Sequence, residues 1–184
     1  IRALFKGEIS TDKETRLVYS RDASIYELVP EAVLAPKDSA DIEKLVKFVN
    51  KHKQLHPSLS ITPRSAGTDM SGGAIGNSLL LDMTTHFSKI ESLSGNLLRT
   101  QPGVFMRDID PYLAASELML GCVPASRAIC TIGGMVGNNS GGEQSLRYGN
   151  TGRWVRQMEV VLGDGKKYTV KPLTKKQLNE KMAE

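Results

Sequence analysis

The sequence predicts a mixed α+β fold in two lobes. Three observations predict it. Short apolar runs alternate with one well-formed amphipathic helix over the first half of the chain. A second strand and helix follow, and the chain then closes on a hairpin around Gly163-Asp164-Gly165. Two glycine-dense stretches, "ITPRSAGTDMSGG" (61–73) and "GCVPASRAICTIGGMVGNNSGGEQSLRYGNTGRW" (121–154), separate these parts and read as loops.

In chain order, residues 1–30 are mixed and give no clear element. "AVLAP" (32–36) reads as a short buried strand closed by Pro36. In "KDSADIEKLVKFVNKHK", Ile42, Leu45, Val46 and Val49 fall at helical spacing, with Asp38 or Ser39 as N-cap and Asp41 and Glu43 in the first turn. "SLSIT" (58–62), "NSLLLDM" (77–83) and "NLLRTQPGV" (96–104) read as strands. A helix is expected from Phe105 to Leu120 with Ile109, Leu113 and Leu118 inward, and Pro111 marks its start or a kink. "RQMEVVLGDGKKYTVK" is the hairpin, and "LTKKQLNEKMAE" is polar and helix-like.

The chain is 40% hydrophobic and 24% charged, enough for a real core. Its net charge of +4 is scattered, without the basic stripe of a nucleic-acid binder. No apolar run reaches the roughly 18 residues of a membrane span. Cys122 and Cys130 match no disulfide framework, zinc motif or redox motif and read as buried thiols. The chain begins at Ile1 and ends in the polar stretch, so it is expected to be a piece of a longer protein.

A loop as long as 121–154 inside a compact domain is functional or disordered. Ile129, Ile132, Met135, Val136 and Tyr148, interleaved with the glycines of this stretch, argue for an ordered path against a ligand. Glycine permits positive φ and removes the Cβ, so successive N–H groups can converge on one anion. Ser65, Thr68, Ser71, Thr131 and Ser140 add hydroxyl donors. Two such loops suit a diphosphate joined to an extended ring system. Neither a phosphate-loop Gly-x-x-x-x-Gly-Lys-Ser/Thr nor a Rossmann Gly-x-Gly-x-x-Gly between strand and helix is present. Trp154 reads as a core residue between the lobes.

"PRSAGTDMSGG", "TQPGV", "CVPASRAICTIGGMVGNNSGGEQSLRYGNTGRWV" and "MEVVLGDG" stand in the order found in FAD-linked oxidases. The chain resembles the FAD-binding domain of the vanillyl-alcohol oxidase / p-cresol methylhydroxylase type. Within it, the chain is most similar to the D-lactate dehydrogenase and glycolate oxidase subunit group. "RDASIYELVPEAVLAPKDSADIEKLV" is similar to the lead-in of large members that also carry an iron–sulfur domain. The resemblance covers about Tyr19 to Lys171.

The resemblance implies a two-lobed FAD-binding domain with mixed sheets flanked by helices, filling 1–184, its lobes at about 20–85 and about 90–172. Pro63, Arg64, Ser65, Ala66, Gly67, Thr68, Asp69, Ser71 and Gly72 resemble the pyrophosphate loop. Thr131, Ile132, Gly133 and Gly134 resemble the segment along the ribityl chain and ring, and Gly103 and Gly137 are carried over with them. Asn138, Asn139, Ser140, Gly141 and Gly142 resemble a second pyrophosphate contact. Pro124 and Ser126 would lie near the isoalloxazine, Tyr148 and Gly149 would close the loop, and Val160 would meet the adenine through its backbone. Asp69 stands where relatives usually have a neutral residue. A carboxylate there repels a diphosphate unless it is turned away or bonded to loop N–H groups.

Covalent members of the superfamily place a histidine in the first loop. This chain has none there, so its FAD is expected to be non-covalent, and no metal is expected. The implied reaction is hydride removal from the α-carbon of a D-2-hydroxy acid to flavin N5. His52, His56 and His86 lie away from the glycine-rich loops, and no catalytic set is identified in the chain. In the family those groups come mainly from a substrate-binding domain, which is expected to lie outside it. The expected partners are a small 2-hydroxy acid and an electron acceptor, an iron–sulfur domain outside the chain being one candidate. The expected location is cytoplasmic, with peripheral membrane attachment of the full protein left open. Two other readings remain: an enolpyruvyl reductase of the same fold, and a non-catalytic dinucleotide-binding module.

Overall fold

The computed structural model describes residues 1–183. β1 (Glu8–Ser10), β2 (Ala32–Ala35), β3 (Ile61–Arg64) and β4 (Leu79–Asp82) form one mixed sheet in the order β1–β2–β4–β3. β2 and β4 are buried at every position, and β4 pairs in parallel with both β2 and β3. A strand with parallel neighbours and both faces covered needs a continuous apolar run, which "AVLA" and "LLL" supply. β3 starts at Ile61, later than expected, because Leu59 still donates to His56 O in the turn that leaves the preceding helix. The strand runs through Pro63 at no ladder cost, since β3 is an edge. β1 pairs antiparallel with β2, so the sheet takes in residues before the stretch read as lobe one.

α1 (Lys13–Val18) is a short exposed helix capped by Asp12. α2 (Ser39–His52) crosses from β2 to β3 and leaves the place between them for β4. Asp38 is its N-cap and accepts from Asp41 N–H. Leu45 and Val49 bury against Leu34, Leu79, Leu81 and Phe5. Each such side chain contributes about 1.5–3 kcal/mol by leaving water. Asp41 is fully buried, and its carboxylate accepts the N–H groups of Lys6, Gly7 and Lys37, each at 3.0 Å. It pins the N-terminal segment to the start of α2.

The second part begins with the hairpin of β5 (Ile90–Ser94) and β6 (Leu97–Thr100), whose turn has Gly95 at φ 57. α3 (Met106–Ala114) is shorter than expected. Pro111 lies inside it, so Arg107 O lacks the N–H it would have met one turn on. Glu117, at φ 57, then closes the helix: its N–H donates to Ala114 O and that of Leu118 to Leu113 O. This turn swings Leu118 inward against Val104, Ile109 and Leu113, although it is past the helix.

The stretch read as one long loop contains α4 (Ile132–Gly137), α5 (Ser145–Tyr148) and a 3-10 turn at Thr151–Arg153. β7 (Met158–Val161) and β8 (Lys167–Val170) form the expected hairpin. Its tip rests on α2, where Asn50 Nδ2 donates to Gly163 O and Gly165 is buried beside Lys47. α6 (Lys175–Met182) is exposed and opens with a Thr174/Gln177 capping box. The architecture is α+β, as the sequence predicts.

Candidate functional site

Pro63 and Arg64 finish β3, and Ser65–Gly73 loop away from the sheet. Gly67 and Gly72 sit at φ 69 and 86, a region that costs other residues strain. Among the described residues, no protein acceptor takes the N–H of Ala66, Gly67, Thr68 or Met70, and the hydroxyls of Ser65 and Thr68 are equally free. A backbone run with unspent donors and left-handed glycines is receptive to an anion. Arg64 is turned beneath this loop. It donates to Ala74 O at 3.3 Å, lies 5.4 Å over the Tyr19 ring, and has its pKa lowered by burial. Tyr19 donates to Asp82 at 3.2 Å, and burial, then the Asp82 charge, push its phenol up to about 12.

The second stretch meets the first. Val104–Met106 pair with Cys130–Ile132 through Met106 N–H to Cys130 O and Ile132 N–H to Val104 O, both at 3.0 Å. Thr131, fully buried, caps α4 by accepting from Gly134 N–H at 3.4 Å. Gly133 donates to Pro102 O at 2.7 Å. A Cβ on Gly133 would lie 2.6 Å from Pro102 Cβ and 3.1 Å from Ser65 Oγ. Three segments therefore converge where only a glycine fits. At the far end of α4, Asn138 Nδ2 donates to Asp69 Oδ1 at 2.8 Å.

Asp69 is bonded to loop donors, the exception that keeps a carboxylate tolerable there. Its Oδ2 accepts from Gly73 N–H at 2.6 Å, Ser71 N–H at 3.2 Å and Ser71 Oγ at 2.9 Å. The Gly73 bond leads the causes that hold its carboxyl below the usual range.

Beyond Asn138 most of the backbone is spent internally. Asn139, at φ 47, accepts Gly152 N–H at 2.8 Å; Ser140 O accepts both Thr151 N–H and its hydroxyl. Gly142 N–H donates to Ser145 Oγ at 2.8 Å, and Gly149 at φ 79 donates to Ser145 O. Cβ atoms on Gly103 and Gly142 would strike backbone carbonyls, of Met83 and Phe87 and of Val123 respectively; one on Gly141 would meet Asn150 and Ser145. Gly134 and Gly137 have room. Pro124 is buried against Gly142, and Ser126 O accepts from Ile129 and Cys130. Tyr148 packs with Arg147 and accepts Trp154 Nε1–H. Val160 lies in β7 opposite Tyr168.

A cleft of about 450 Å³ is lined by Val136, Asn139, Val155, Arg156, Met158 and Val170, and of the expected site residues holds only Asn139. Cys122 and Cys130 are free and buried together with Met106 and Met135, and burial pushes both thiols up. Among the described residues, no His, Cys, Asp and Glu side chains gather as a metal site, and no helix is long and apolar enough to cross a membrane. The sequence reading missed Pro102, which receives Gly133, and Ser24 and Tyr26, which pack at Gly72. The lead-in "RDASIY" holds the last two and was given no role.

Free donors, a small-residue convergence and a backbone closable only by glycine fit a diphosphate-bearing cofactor. Comparison with known proteins agrees. Residues 30–171 match the family described as FAD binding domain. D-2-hydroxyglutarate dehydrogenase of Haemophilus influenzae is 32% identical over 163 residues, 88% of this chain and 16% of that protein. Glycolate oxidase subunit GlcD of Bacillus subtilis is 36% identical over 156 residues, 82% of this chain and 32% of that one. Among solved structures, alkyldihydroxyacetonephosphate synthase aligns with a TM-score of 0.74 at 21% identity, covering 90% of this chain and 32% of that one, a likeness of fold. The chain thus spans 16–32% of these curated relatives.

Proposed function

The chain belongs to the FAD binding domain family, and from that premise we propose that it is the cofactor-binding part of a dehydrogenase that oxidises a D-2-hydroxy acid. The observation that carries the site is the run of unspent N–H and hydroxyl donors from Ser65 to Met70 beside Gly133. In this reading Ser65, Ala66, Gly67 and Thr68 hold the diphosphate. Thr131–Gly134 pass along the ribityl chain, and the remaining expected positions of 124–149, with Gly103 and Val160, shape the path around them. Residues of about 20–85 and about 90–172 form the two lobes that hold the cofactor.

Bound flavin would supply the hydride acceptor. The chain's own residues bind and orient it and hold water off one side. The groups that activate the hydroxy acid belong to a substrate-binding domain outside this chain, and an iron–sulfur acceptor is placed there too. The FAD is held without a covalent bond: the first loop has no histidine, and the buried Cys130 thiol, with its raised pKa, has little thiolate to offer.

The test is titration of FAD into the protein, followed by flavin fluorescence and thermal melting. At a hundredfold excess over Kd the stabilisation is about 2.7 kcal/mol, roughly 5–11 °C for a chain of this size. Saturating FAD that moves neither signal refutes the reading. After acid precipitation the flavin should stay in the supernatant. Dye reduction with D-lactate, glycolate or D-2-hydroxyglutarate should be absent for residues 1–184 alone and present for a longer protein carrying the substrate domain.

A further inference from the structure

Asp69 carries a role that neither the family match nor the loop composition assigns. Among the described residues, its bond to Asn138 is the one side-chain hydrogen bond joining the loop 65–73 to the segment 131–149. Its other oxygen gathers Ser71 N–H, Ser71 Oγ and Gly73 N–H within the loop. One carboxylate therefore folds the far half of the first loop and ties it to the C-terminal end of α4. The near half, Ser65 to Thr68, is left with its donors free, and Gly133 meets Ser65 at the other end of α4.

We propose that Asp69 is a positioning residue: a clasp that sets the two glycine-rich segments at the spacing a dinucleotide diphosphate requires. The proposal rests on the FAD reading above. Electrostatics alone give the opposite sign, because a carboxylate near a diphosphate repels it. Two facts reverse that sign. The charge is spread over four donors, and the donors it consumes differ from the unspent ones of Ala66, Gly67 and Thr68. Ordering the loop before the ligand arrives removes an entropic cost of binding.

The experiment is FAD titration of the wild type, Asp69→Ala, Asn138→Ala, their double variant, Asn138→Asp and the swap Asp69→Asn/Asn138→Asp. A charge-assisted hydrogen bond sets the scale, so each alanine variant should bind FAD about tenfold more weakly. The double variant should be little worse than either single one, because both remove the same link. Asn138→Asp faces two carboxylates across the 2.8 Å contact and should bind at least as weakly as the alanine variants. The swap restores one donor and one acceptor and should recover to within about threefold of wild type. Asn138 is exposed, so its variants test the link even if Asp69→Ala melts early. Recovery of FAD affinity by the swap is a readout that general destabilisation would not produce. Equal or tighter FAD binding by Asp69→Ala, or an unrecovered swap, overturns the clasp. A wild type that binds no FAD overturns the FAD reading, and the clasp as a cofactor device with it.

Discussion

The two glycine-rich stretches look alike in sequence and behave oppositely in the fold. From Ser65 to Met70 the backbone is a true loop whose N–H groups mostly have no partner. From Thr131 to Gly149 the chain forms two short helices, and nearly every turn is closed by its own bonds: Met135 to Thr131, Ser140 to Met135, Gly149 to Ser145. In the first stretch glycine opens room for something absent from the chain. In much of the second it opens room for the chain itself, as where Gly142 passes Val123 O. Glycine density signals close approach, and only the state of the neighbouring donors tells what approaches.

Breaking a chain crossing should have the largest effect. Gly142→Val drives a branched side chain into the Val123 carbonyl, which is backbone and cannot rotate away. The expected loss is about 3 kcal/mol or more, at the upper end for overpacking, and a fall in Tm of roughly 6–12 °C. Gly133→Val should cost a similar amount against Pro102 and abolish FAD binding as well. A Gly142→Val protein that melts like wild type would show that the second stretch is looser than its contacts imply.

The same contrast sets how far the sequence could be read. β2, β4 and α2 were legible because burial on both faces, or at helical spacing, writes a periodic apolar pattern. β1 was not: Glu8–Ser10 has no pattern of its own and is a strand because Ala35, Leu34 and Val33 lie opposite. α4 was hidden by Gly133, Gly134 and Gly137, which oppose a helix. It forms because Thr131 caps it and Pro102 O takes an N–H at its start. Trp154 was expected in the core and is 38% exposed, and Ile129, one of the apolar residues that argued for an ordered path, is 57% exposed. Both lie where short turns, not periodic elements, decide which way a side chain faces. At the site, the loop 63–73 was legible from residue type. The partner of Asp69 lies 69 residues away and could not be.

Gly67→Ala tests the first stretch at intermediate cost. At φ 69 an alanine is strained by roughly 1–2 kcal/mol, about 2–8 °C in Tm, and its Cβ presses on the Arg64 guanidinium. Relief comes only by moving the loop donors, so FAD affinity should fall along with stability. Unchanged affinity would mean that the donors near Gly67 do not face the cofactor. Gly137→Ala is the control in the other stretch. Nothing lies within 4 Å of its Cβ, and the residue is helical, so a gain of about 0.5–1 kcal/mol is expected, with FAD binding intact. Loss of FAD binding by this variant would mean that Gly137 touches the cofactor itself and does not only shape the path around it.

The smallest expected effect is acid sensitivity, and it should belong to the first stretch alone. Residues 121–154 hold one carboxylate, Glu143, which takes no hydrogen bond among the described residues, whereas the first loop is folded around Asp69. The Gly73 N–H, followed by Ser71 and Asn138, holds the folded Asp69 carboxyl below its ordinary value. A depressed folded-state pKa means that the unfolded chain binds the proton more readily. The stabilisation is therefore fully present above the unfolded value of about 4 and is lost as pH falls through the lower folded value. Asp69→Asn keeps the shape and removes the titration. Its Tm should lie below that of wild type at pH 6, and the gap should narrow steadily as pH is lowered from about 5 to 3. The group is near the surface, so the narrowing should be modest and shrink further in high salt. A gap independent of pH would mean that the loop is held by shape and not by the charge of Asp69.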